Sequence, residues 1–192
     1  WASENGLMRH LDGARLWNAA AATGISEKDL AAPFDSVSVC YSKGLGAPVG
    51  SALVGSEDFL YEARRARKLF GGGMRQAGII AAGALHAVQH HRDRLPEDHE
   101  HAQLLADACE ASPSLSIRGG RVDTNIIICE VDPDWGTAAT MVAKCEEQGV
   151  LSLSVGPQAI RFVTHLDVNR TQIERAAEII HTLTESPIPK SA

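Results

Sequence analysis

One lysine, Lys43, stands among residues with almost no side-chain bulk, in Ser42-Lys43-Gly44-Leu45-Gly46-Ala47-Pro48-Val49-Gly50-Ser51. Gly44, Gly46, Ala47 and Gly50 leave open space around it, and glycine permits backbone angles that other residues avoid. Such a floor suits a flat organic ring lying against the main chain. An amine at the end of a buried strand suits a Schiff base to an aldehyde, because desolvation frees it from its proton. A glycine-rich turn carrying a solvated lysine is the plainer reading of the same segment.

A second group bears on that choice. The run Arg9-His10-Leu11-Asp12-Gly13-Ala14-Arg15-Leu16-Trp17-Asn18 reads as a short strand that ends on an acid and turns into a helix. Asp12 precedes Lys43 by about thirty residues, the length of one strand–helix–strand crossover. Two parallel neighbouring strands would deliver both side chains to the same carboxyl edge, where open α/β sheets bind their ligands. A buried carboxylate beside a pyridine nitrogen keeps that nitrogen protonated, and the protonated ring withdraws electrons from an attached carbanion. Asp12 and Lys43 together are the donor set that pyridoxal phosphate chemistry asks for. Asp12 alone would read as the N-cap of the helix from Ala14.

The elements that must hold these groups follow from local pattern. The β-branched run Val37 to Val39 reads as the strand before Lys43. Helix 14–23 ends at Gly24, and Ser26 with Asp29 forms a capping box for a short further turn. Ser51 to Val54 reads as an antiparallel strand. Ser56 caps a helix through Phe59 to Leu69, whose Arg64, Arg65, Arg67 and Lys68 read as a solvated face. Gly71-Gly72-Gly73 breaks that helix. Another resumes near Arg75 with Ile79, Ile80, Ala84, Leu85 and Val88 on one stripe, and its small residues suit close packing on a helix or a second subunit. Pro96 marks a boundary, since the residue before proline resists helix. Beyond it come a helix 97–110, strands 115–117 and 124–131, and a helix 138–148 ended by Gly149. Strands 150–153 and 159–164 follow, and Asn169 caps a last helix, 171–183. The expected domains are 1–95 and a compact α+β unit, 96–186, with a loose tail, 187–192.

Composition narrows the partners. The 192 residues could form one large domain or two small ones; 44% are hydrophobic and the net charge is −6. That describes an ordinary globular protein. The acidic balance, without a basic stripe, argues against nucleic acid. No apolar run approaches about eighteen residues, so no membrane span is expected, nor a signal peptide. Cys40, Cys109, Cys129 and Cys145 are widely spaced and read as free thiols in a reducing cytoplasm.

Histidines invite a metal reading, because His86 and His90 have the i, i+4 spacing of a zinc helix, with His91, His99 and His101 nearby. No acid stands at the customary position, a surface helix end accounts for them as well, and no metal is expected. Arg161 is a stronger candidate. It interrupts an apolar strand, Ala159-Ile160-Arg161-Phe162-Val163-Thr164, where an unpaired guanidinium is costly. Its planar fork matches a carboxylate, which suits capture of an amino acid's α-carboxylate; a salt bridge to Asp167 is the alternative. Arg15 also has two readings, a site residue or a surface residue. His165 reads either as lining a site mouth or as bonding the loop before the last helix.

Four segments carry a resemblance: 10–19, 42–51, 71–76 (Gly-Gly-Gly-Met-Arg-Gln) and 161–167 (Arg-Phe-Val-Thr-His-Leu-Asp). In this order and spacing they resemble the low-specificity L-threonine aldolases, over nearly the whole chain. The resemblance implies an α/β fold of the aspartate aminotransferase type (fold type I of the pyridoxal phosphate enzymes). Residues 1–95 would be the C-terminal part of its large, cofactor-binding domain and 96–186 its small domain. It implies a lyase that cleaves L-threonine, L-allo-threonine and related 3-hydroxy-L-amino acids to glycine and an aldehyde. Lys43 and Asp12 would be catalytic, Arg15 and Arg75 would join them in binding the cofactor, and Arg161 and Arg15 would bind the substrate. A β-eliminating lyase of the tryptophan or tyrosine type, or a noncatalytic fragment acting in assembly, are the alternatives. Since the chain opens on Trp1 and its cofactor strand follows at once, it is expected to be a C-terminal portion whose N-terminal half is missing. A homo-oligomer, dimer or tetramer, is implied too.

Overall fold

The computed structural model describes residues 1–185; the tail expected to be loose lies outside them. The chain divides into two compact units, one of Trp1–Leu95 and one from Pro96 onward.

The first unit is built on a three-stranded sheet of order β1 (His10–Gly13), β2 (Ser36–Cys40) and β3 (Ser51–Val54). β1 and β2 run parallel, with Asp12 opposite Ser38, and β3 is antiparallel to β2. Parallel strands need a crossover, which α1 (Leu16–Thr23) and α2 (Glu27–Ala31) supply. Val37 and Val39 of β2 point to one face, where Leu16 of α1 covers them. Gly13 lets this layer close: a Cβ there would stand 2.9 Å from the Ser38 carbonyl oxygen and 3.0 Å from Val37 Cγ1. The feet of β1 and β2 are clasped. Arg9 donates its N–H (2.7 Å) and Nε–H (3.3 Å) to Asp35 Oδ2, and the Arg9 carbonyl accepts from Asp35 and Ser36 N–H. These bonds from Arg9, the backbone one foremost, hold the Asp35 carboxyl below its usual range.

Gly24, at φ +70°, ends α1 by donating to the Ala20 carbonyl. Ser26 caps α2 through Asp29 N–H, and its hydroxyl donates to Asp29 Oδ2 at 2.7 Å, a one-sided form of the expected capping box. Ser56 caps α3 (Glu57–Leu69) through Phe59 N–H. The next helix, α4 (Gly78–His90), starts three residues later than its periodicity suggests, because Gln76 sits at φ +50°, outside helical space. Leu45, Ala47, Ala87 and Leu95 form a small second core against α4.

The second unit carries a four-stranded antiparallel sheet of order β4 (Leu115–Ile117), β5 (Ile126–Val131), β7 (Ala159–Val163) and β6 (Leu153–Ser154). Its helices are α5 (Leu95–Glu110, all but its first residue in this unit), α6 (Ala138–Glu147) and α7 (Arg170–Thr184). β5 alternates, with Ile127, Cys129 and Val131 in the core beside Met141, Ile160 and Ile180. Pro96 lies in the first turn of α5, where its missing N–H breaks no helical bond. Asn169 makes a full capping box with Gln172. β6 is shorter than expected because the Val150 N–H is spent on the Cys145 carbonyl at the end of α6 (2.8 Å), with Gly149 at φ +83°. All four cysteines are free; Cys109, Cys129 and Cys145 are buried and Cys40 is half-buried. A hydrogen bond with the Cys129 thiol, together with burial, pushes the Cys109 thiol up, and burial pushes Cys145 up to about 11. Among the described residues no helix is long and apolar enough to cross a membrane.

Candidate active site

Because β1 and β2 are parallel neighbours, Asp12 near the end of β1 and Lys43, three residues beyond Cys40, reach the same edge of the sheet. The Lys43 loop is closed by its own backbone. The Lys43 carbonyl accepts Gly46 N–H (2.8 Å), the Tyr41 carbonyl accepts Ala47 N–H (2.9 Å), and Tyr41 N–H donates to the Gly50 carbonyl (3.0 Å). Gly46 at φ +68° and Gly50 at φ +123° supply angles that a side chain would resist. Leu45, only 1% exposed, plugs the loop into the second core. Trp17 and Tyr41 meet as tilted rings, their centroids 5.6 Å apart.

Lys43 itself is exposed, as is Asp12, so the burial expected for both is not supplied by the described residues of this chain. Asp12 Oδ1 accepts Ala14 N–H at 3.1 Å, turning the chain toward α1. The N-cap position of α1 falls on Arg15, half-buried at the head of the helix. Asp12, Arg15 and Lys43 thus share one end of the first unit. Arg75 is exposed in the connection between α3 and α4, beside Gln76. An apolar cleft of about 580 Å³ adjoins this connection, lined among others by Tyr41, Met74, Ile80, Ala84 and Leu85.

Arg161 belongs to the second unit, on β7 between Ile128 of β5 and Leu153 of β6. Its Nε is buried and has no hydrogen-bond partner among the described residues. Asp167, the expected salt-bridge alternative, instead meets His165, with Nδ1 and Oδ2 at 3.3 Å. An orphaned guanidinium N–H is costly, and a ligand carboxylate is an acceptor of the right shape.

Two contributors to the Lys43 loop carry no role in the sequence reading. Asn18 is 1% exposed, and a Cβ on Gly44 would collide with its Oδ1. An asparagine in the otherwise apolar run Leu16 to Ala22 is the signal that could have found it. His91, grouped above with a surface helix end, places Nδ1 2.7 Å from the Leu45 carbonyl oxygen. Among the described residues no group of three His, Cys, Asp or Glu is placed to hold a metal ion.

The fold is of the aspartate aminotransferase type, fold type I. A solved threonine aldolase from Leishmania major superposes with a TM-score of 0.74 at 21% identity, over 95% of this chain and 54% of that one. A family model described as beta-eliminating lyase matches residues 1–133. The chain belongs to the β-eliminating lyase family. It is 42% identical over 175 residues to the low specificity L-threonine aldolase of Escherichia coli O157:H7, covering 91% of this chain and 50% of that protein. It is 40% identical over 173 residues to low-specificity L-threonine aldolase 1 of Arabidopsis thaliana, covering 90% and 48%. The chain therefore spans about half the length of the curated relatives it matches.

The residues present fit a pyridoxal phosphate. An amine and a carboxylate lie at one sheet edge, the first suited to an aldehyde and the second to a ring nitrogen.

Proposed function

We propose that the protein containing this chain is a pyridoxal-phosphate-dependent aldehyde-lyase that cleaves L-threonine, L-allo-threonine and related 3-hydroxy-L-amino acids to glycine and an aldehyde. The observation that carries this reading is the parallel pairing of β1 and β2, which brings Asp12 and Lys43 to one edge. The 40–42% identity to aldolases supports the choice of substrate class.

In this reading Lys43 would supply the amine that holds the cofactor's aldehyde carbon. Asp12 keeps a proton at the ring nitrogen. Arg161 takes the substrate carboxylate on its orphaned Nε–H, Arg15 helps to orient that carboxylate, and Arg75 binds the cofactor. Bound pyridoxal phosphate supplies an electron sink at the substrate's Cα. The β-hydroxyl gives up its proton, the Cα–Cβ bond breaks with release of the aldehyde, and a proton added at Cα yields glycine.

The proposal extends to a cytoplasmic homo-oligomer, a dimer or tetramer. Free thiols suit a reducing compartment. Leu69, Phe70, Met74, Ile79 and Leu85 expose large apolar surface around the small-residue helix α4, as a subunit contact would.

The test is borohydride reduction of the cofactor-loaded protein and peptide mapping, with a product assay on L-threonine. Pyridoxyl label on Lys43, with glycine and acetaldehyde formed in equal amounts, is the expected result. Label on Lys28 or Lys68 sinks the reading of Lys43. Ammonia and a keto acid from amino acids with a β leaving group, without glycine, would favour the β-eliminating alternative that the family's description suggests.

A further inference from the structure

His91 and the lysine loop meet across 46 residues of sequence, and the bond between them settles its own proton. The Leu45 carbonyl can only accept, so the hydrogen lies on His91 Nδ1, 2.7 Å away. The contact is a tether between the end of α4 and the lysine loop.

The position of the tether matters more than its strength. Leu45 is the third residue of the turn that the Gly46 N–H to Lys43 carbonyl bond closes. Its side chain is held among Ala47, Ala87 and Leu95, and its peptide oxygen by His91. The tether's other end is equally constrained. The His91 N–H donates to the Ala87 carbonyl at 2.9 Å, ending α4. Its ring meets the His86 ring edge-on, with centroids 5.3 Å apart. Lose the Nδ1–H, and a partly buried carbonyl is left without its donor. The peptide can then recover a bond only by turning toward water. That rotation would redirect Lys43, two residues upstream.

We propose that His91 is a positioning residue for Lys43: its Nδ1–H bond to the Leu45 carbonyl locks the Lys43–Gly46 turn and sets the direction in which the amine is presented. The inference rests on reading Lys43 as the amine that holds the cofactor's aldehyde. A displacement of about 1 Å at a reacting atom can cost on the order of a hundredfold in rate, so a distant tether can matter to the chemistry.

The test compares His91→Leu, which removes the donor and keeps bulk, with His91→Asn, whose side-chain N–H reaches about where Nδ1 does. Both are made in the full-length protein, stripped of cofactor. One readout is trypsin cleavage after Lys43. The other is the rate at which pyridoxal phosphate and cyanoborohydride label Lys43, with Lys28 as internal control. His91→Leu should speed cleavage and slow labelling of Lys43 by about tenfold, the scale of one lost hydrogen bond, with Lys28 unaffected. His91→Asn should restore both rates to within about twofold of wild type. Should His91→Leu fail to fold, His91→Phe, which keeps a ring and has no donor, takes its place with the same expectation. Wild-type rates in the donor-less variant overturn the proposal. So does an Asn variant as impaired as the Leu variant, since ring packing would then be what matters. If wild-type protein takes no label on Lys43, the reading of Lys43 itself has failed; label on Lys43 at equal rates in all variants fails His91 alone.

Discussion

Gly44 rests directly on the buried carboxamide of Asn18, with no room for a Cβ between them. The helix that follows Asp12 thereby supports the residue that follows Lys43. A methyl group at Gly44 would also meet Leu95 Cδ2 at 3.2 Å.

Gly44→Ala should therefore destabilise the protein by about 1–3 kcal/mol, the usual cost of overpacking. Asn18→Ala in the same molecule should recover part of that loss, and a double-mutant cycle in urea would show it as non-additivity. Purely additive costs would mean that the two residues do not share the contact.

Arg161→Lys keeps the charge but loses the planar fork. On the proposed role it should raise the KM for L-threonine by about tenfold or more while cofactor binding stays intact. Unchanged kinetics would assign the arginine a structural role.

His99 sets an acid limb for stability. Burial pushes its ring below 6.5, and the Asp98 charge only partly opposes this. A histidine depressed in the folded state binds its proton more readily when unfolded. Its contribution is thus present above 6.5 and lost as pH falls through the lower folded value. His99→Gln should flatten the fall in melting temperature between about pH 7 and about pH 5. An unchanged slope would place the acid limb elsewhere.

The core of the second unit offers a check on packing. Met141 and Ile160 are both fully buried. Met141→Ala or Ile160→Ala should each cost about 2–5 kcal/mol in chemical denaturation, depending on how far the cavity collapses.

Much of this was legible in the residues because local physics wrote it there. The alternation of Val37 and Val39, the caps at Ser56 and Asn169, and the stop at Gly24 depend only on near neighbours. The crossover length between Asp12 and Lys43 made parallel strands readable as well. The Asn18–Gly44 and His91–Leu45 contacts left no such mark, because each joins segments tens of residues apart by a single pair of atoms. β6 misled for a third reason. Val150 has strand propensity, yet its N–H was claimed first by the end of α6.

Residues 9 and 35 must find one another, 26 positions apart, before Asp12 and Lys43 can share an edge. The site is therefore expected to form late in the folding of the first unit, since parallel pairing spends chain entropy before contacts reward it. The Arg9–Asp35 clasp sits at the foot of the ladder, where closure begins, so weakening it should slow the appearance of the site more than it alters the finished geometry. A ligand that engages both strands adds its own binding energy to the same closure and draws the equilibrium toward the paired state.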